Sequence, residues 1–169
     1  MGNISIHLAF MRLSRFLGFP VLLAAVPAAA QQQSLGVFGL WGAFSERERC
    51  YAIAEPQGAG AGRAFASAGW WPRRGARGQI HFRLSQPKRA GSAILLRIEE
   101  RTFQLMGGGA DAWAPDSRAD AEIVAAMRTG LQMSVETRAD RGALIRDSYN
   151  LRGAATALDA AAIACATRR

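Results

Sequence analysis

Nucleophilic or acid–base catalysis needs a base held beside a nucleophile, with a third group to orient it. In 169 residues there are two histidines and two cysteines. One histidine lies in the leader discussed below, which leaves His81. It sits mid-strand on the polar side of an alternating segment, with Ser85 further along the same side. Nothing in the sequence requires an acid to meet them, so no catalytic residue is assigned. One histidine and two cysteines cannot supply a metal centre, and no metal or cofactor is expected. Asp111, Asp116, Asp120 and Glu122 cluster in sequence, as paired carboxylates would. Their commoner role is to start a helix and solvate its face. Gly107-Gly108-Gly109 lacks the following Lys-Ser/Thr of a phosphate loop. Trp70-Trp71-Pro72-Arg73-Arg74 is the one segment built like a recognition element, because aromatic rings beside guanidinium groups suit stacking and interfacial contact.

Charge separates this region from the rest. Lys and Arg number 21 against 13 Asp and Glu. No acid lies between Glu55 and Glu99, a stretch that carries Arg63, Arg73, Arg74, Arg77, Arg83, Lys88, Arg89 and Arg97. A surface comprising Trp70, Trp71, Arg73, Arg74, Arg77, Arg83, Lys88 and Arg89 would draw an anionic partner by long-range attraction. A solvated face in an Ala- and Arg-rich composition is the plainer reading of the same residues.

The first 30 residues decide which anions are in reach. Arg12 and Arg15 precede an apolar run from Phe16 to Val26, and Ala28-Ala29-Ala30 supplies the small residues of a cleavage site before Gln31. That is the pattern of a secretory signal, with Met11 as an alternative start. The run is too short to span a bilayer and is interrupted by Pro20 and Pro27. A cleaved, periplasmic or secreted product follows, with no transmembrane segment in its mature part and no nucleic acid as partner. Without the leader, 19 basic and 13 acidic residues remain, a net charge of +6. In an oxidising compartment Cys50 and Cys165 read as one disulfide, closing a loop of about 115 residues. Two buried free thiols are the alternative.

The elements that must position these residues can be read from periodicity. Residues 31–36 are a polar lead-in and 37–166 a single β-rich domain. Cys50–Ala54, Phe65–Trp71, Ile80–Leu84, Ile94–Ile98, Thr102–Met106, Leu131–Val135 and Leu144–Leu151 alternate or run apolar as strands. Glycines at 58, 60 and 62 and at 107–109 mark loops. Asp116 or Ser117 starts a helix that ends at Gly130, with Ile123, Val124 and Met127 on one face. Ala154–Ala166 is a second helix, burying Leu158, Ala161, Ala162 and Cys165. Short strands with two helices predict a mainly β, α+β domain built as a sandwich.

Several of these segments recur together in a known family. Trp41 stands shortly before Arg49-Cys50-Tyr51-Ala52-Ile53-Ala54, the helix carries Ala125-Ala126-Met127-Arg128, and Tyr149-Asn150-Leu151-Arg152-Gly153 leads into the Ala-rich end. The arrangement, over about residues 40–165, resembles the invasion-associated locus B family of Gram-negative envelope proteins. The resemblance implies an immunoglobulin-like β-sandwich with short helices, export, and a non-enzymatic role as a binding or accessory module. The partner would be an anionic envelope or host component, or another envelope protein. The chain lacks the additional cysteine pair of many members, and its middle is richer in arginine. A periplasmic hydrolase using Asp/Glu chemistry, and an inhibitor or chaperone of another envelope protein, are the rival functions.

Overall fold

The computed structural model describes residues 32–58 and 62–167. The leader and the centre of the glycine loop therefore lie outside the described residues. Ten strands form one antiparallel sheet: β1 (Gln33–Phe38), β2 (Trp41–Ser45), β3 (Cys50–Ala54), β4 (Phe65–Trp71), β5 (Ala76–Arg83), β6 (Ile94–Ile98), β7 (Arg101–Gly108), β8 (Asp111–Trp113), β9 (Gln132–Arg138) and β10 (Leu144–Asn150). Helix α1 (Ser117–Thr129) joins β8 to β9, and α2 (Ala154–Ala166) closes the chain. No helix among the described residues is long and apolar enough to cross a membrane.

The strand order is β1-β2-β3-β4-β5-β8-β7-β6-β9-β10. β7 belongs to both halves: Arg101–Leu105 pairs with β6, and Met106–Gly108 pairs with β8. The sheet folds there, and its two inner faces close on one core, as in a sandwich. Phe82 of β5 meets Tyr149 of β10 across that core, with ring centroids 6.0 Å apart. The expected mainly β, α+β class is what the chain adopts. β1 to β5 run as a meander, whereas β6, β7 and β8 follow one another and β9 returns through α1 to lie beside β6, the order of a Greek key.

Side-chain size along the inner face decides what packs where. Ala43, Ala52 and Ala68 are buried on β2, β3 and β4, and α2 lies over these strands. Its own Ala157, Leu158 and Ala161 are buried against them. Small residues on both sides let helix and sheet approach closely. Ile80, Phe82, Leu84, Ile94, Leu96 and Val135 fill the wider space between the two halves.

The chain start is stapled to the chain end. Trp41 is fully buried and its Nε1–H donates to the Asn150 carbonyl at 2.9 Å. Leu40 N–H donates to the Arg152 carbonyl, and Gln57 N–H to that of Ser148. Gly153, at φ +91°, presses its backbone against Phe38, so closely that a Cβ there would overlap the Phe38 carbonyl. Only glycine fits both that dihedral and that contact.

Several expectations need correction. Residues 31–36 are not all lead-in, because Gln33–Phe38 is an edge strand paired with β2. Its polar start suits an edge, and Leu35 and Phe38 pack on the core. Gly107 and Gly108 belong to β7 rather than to a loop, and a Cβ at Gly107 would overlap the Asp111 backbone. Leu131 and Leu144 are exposed instead of continuing their alternating faces, and Ala162 is only half-buried. Helix α1 has the expected limits. The Asp116 carboxylate caps it by accepting from Ala119 N–H at 2.8 Å.

One turn carries a pH-dependent contribution. Glu99, at φ +49°, turns its carboxylate onto the N–H groups of Leu131 and Gln132 at 2.6 and 3.0 Å. Those two donors hold its pKa below the usual glutamate value of 4.5. The stability it adds is therefore complete above 4.5 and is lost as pH falls through the lower folded value. Asp120 opposes it, because burial raises its carboxyl pKa although it accepts from Ile80 N–H. We expect Glu99→Gln to flatten the acid limb of stability against pH, measured by urea unfolding between about pH 6 and pH 3. An acid limb as steep as in the parent chain would contradict this.

Candidate binding site at the β4–β5 hairpin tip

The hairpin joining β4 to β5 is built to hold charge away from the sheet. Pro72 opens a 3-10 turn over Pro72–Arg74, its fixed φ suiting the first position. Gly75, at φ +69°, closes the turn and donates its N–H to the Pro72 carbonyl. Arg73, Arg74 and Arg77 therefore stand on a rigid tip, all exposed. None of the three has an ion-pair partner among the described residues.

The two tryptophans at its base point to opposite faces, as neighbours on a strand must. Trp70 turns inward against the core and the disulfide. Trp71 folds back over Gly69 on the outer face, where a Cβ at Gly69 would overlap its ring. Phe38 over Gly36 and Phe44 over Gly42 repeat this covering of a glycine by the aromatic two residues on. Both tryptophans are half-buried.

Cys50 and Cys165 are bonded to each other, with Cα atoms 5.7 Å apart. The bond ties β3 to the last turn of α2. Beside it a cavity of about 400 Å³ opens between the hairpin tip and α2, lined by Trp70, Pro72, Ala76, Arg77, Ala162 and Cys165 among others. A second cavity, of about 500 Å³, lies between Leu40, Phe44, Ile53 and Pro56 and carries no basic residue on its wall.

The remaining members of the expected surface lie elsewhere. β5 is eight residues long, so at ~3.3 Å per residue its far end is roughly 25 Å from the tip. Arg83 stands at that end and is engaged, its Nη1 lying 2.7 Å from Asp111 Oδ2. Lys88 is 9% exposed, and its Nζ donates to the Arg89 carbonyl. Its backbone bridges Ala139 and bonds Gly109, which fixes the side chain under the loop. Arg89 is exposed and donates to the Asp140 carbonyl. The acid-free stretch is thus not one surface. Arg83 and Lys88 are engaged toward the far end of β5 and Arg97 pairs with Glu136 of β9, whereas Arg73, Arg74 and Arg77 at the tip, like Arg63 before β4, have no ion-pair partner among the described residues.

His81 does meet an acid. Its Nε2 is 3.0 Å from Asp111 Oδ1, and its ring stacks on Trp113 with centroids 5.1 Å apart. Sequence separation of 30 residues hid this pair, and the cross-strand register that creates it is His81 opposite Trp113. Among the described residues no serine hydroxyl completes a triad with this pair. Ser67 Oγ donates to the His81 backbone carbonyl, and Ser85 N–H is bonded to Asp147 Oδ2. Of the other carboxylates, Asp116 and Asp120 bond backbone N–H groups, and Glu122 pairs with Arg118. Among the described residues no group of three or more His, Cys, Asp or Glu could hold a metal ion.

Compared with known proteins, the chain matches no family model, no curated protein and no solved structure.

Proposed function

We propose that the chain is an exported, non-enzymatic envelope protein of the invasion-associated locus B type, a binding or accessory module that meets an anionic partner through the β4–β5 tip. The observation that carries this reading is the trio Arg73, Arg74 and Arg77. Arg73 and Arg74 stand on a rigid turn and Arg77 on the strand just after it, none with an acidic partner among the described residues, while Arg83, Arg97 and Arg128 are all paired. An unpaired arginine keeps its donors free for phosphate or carboxylate, which the planar guanidinium binds in a fork. The leader-like segment supports export, which would bring envelope phosphates within reach, and the Cys50–Cys165 bond suits an oxidising compartment.

The test is charge reversal at all three positions. Arg73→Glu, Arg74→Glu and Arg77→Glu together break no described ion pair, so the fold is retained. We expect the envelope-associated fraction to fall by at least about tenfold, and raised salt to weaken association of the parent chain. Association unchanged in the triple variant would overturn the reading.

A further inference from the structure

Resting on that reading, the cavity beside the tip narrows the partner's chemistry. We infer that the tip binds a phospholipid, with the phosphate at Arg73, Arg74 and Arg77 and an acyl chain in the cavity. Two properties of the site point this way. Its lining side chains are mostly small and apolar, the Trp70 ring, Pro72, Ala76, Ala162, Ala166 and the disulfide sulfur of Cys165, and the side-chain donors on the wall are the Trp70 indole N–H and the Arg77 guanidinium. Its one charged lining residue is Arg77, at the start of β5, and the two other tip arginines stand in the turn just before that strand. Apolar volume with cations on one rim matches a ligand that is apolar along its length and anionic at one end.

The volume of about 400 Å³ is at the size of small-ligand pockets, enough for an acyl chain but not for a folded domain. The disulfide holds one wall in place, since it fixes the last turn of α2 against β3. An acyl chain thus enters a preformed slot, which lowers the ordering cost of binding.

The experiment compares dodecyl phosphate, below its micelle concentration, with ethyl phosphate as probes of the purified mature chain. Each methylene buried adds roughly fourfold in affinity. We expect dodecyl phosphate to bind at least about a hundredfold more tightly than ethyl phosphate. Ala162→Phe and Ala166→Trp, which fill the cavity from a half-buried and an exposed position, should remove most of that difference while leaving ethyl phosphate unchanged. The triple arginine reversal should weaken both probes. Equal affinity for the two phosphates, or a chain-length effect untouched by both filling variants, overturns the acyl-chain inference and leaves the anionic tip standing. If ethyl phosphate and dodecyl phosphate are both insensitive to the arginine reversal, the anionic tip itself fails, and the inference with it.

Discussion

Replacing Cys50 and Cys165 together by alanine should lower the unfolding free energy by up to about 5 kcal/mol, the largest effect expected of any change in this chain. The bond closes a loop of 115 residues, most of the chain, and the entropy it removes from the unfolded ensemble grows with that length. Both cysteines are buried, against Ala161 and the inward-turned Trp70. Alanine at either position leaves a small void and adds to the loss. Urea unfolding of oxidised, reduced and double-alanine protein is the measurement. The reduced and alanine forms should agree to within about 1 kcal/mol, and both should fall well below the oxidised form. A reduced form as stable as the oxidised one would mean that α2 is held by packing alone.

The second large effect is at Trp41. Trp41→Ala should cost about 3–5 kcal/mol, because it empties the largest fully buried side chain in the core and strands the Asn150 carbonyl. Trp41→Phe separates the two causes: it keeps most of the volume, loses the hydrogen bond, and should cost about 1–3 kcal/mol. The indole sits where β2, β10 and the start of α2 meet. Its loss should therefore loosen the staple between chain start and chain end before the β6–β9–β10 half. Amide exchange resolves this: protection should drop first in β1 and α2. Uniform loss across all strands would show that the molecule opens as one unit.

These two sites also show where sequence reasoning reaches its limit. Ile80, Phe82 and Leu84 alternate with wet neighbours and lie buried as that pattern requires, and Asp116 and Gly130 bound α1. Local periodicity and capping chemistry suffice for such elements. β1 was hidden because an edge strand can be polar: its pairing with β2 comes from backbone groups, not from side-chain alternation. The strand order is a tertiary property with no local signal. At the site, the tip arginines and the opposed tryptophans follow from a Pro-Arg-Arg-Gly turn on a strand. The engagement of Arg83 by Asp111, and the burial of Lys88, depend on contacts with β8 and with the segment after β9. Charge density along the sequence could not separate free arginines from engaged basic residues, because the partners come from distant segments.

The proposed function requires an exported protein clamped by the Cys50–Cys165 bond, with its basic tip presented to the envelope. Its most direct test is the intact mass of the protein recovered from the periplasmic fraction, alkylated before and after reduction. We predict a chain beginning at Gln31 that takes up no alkyl group until reduced, and two afterwards. A full-length chain whose two thiols react without reduction would contradict both the export and the clamp, and with them the envelope partner assigned to Arg73, Arg74 and Arg77.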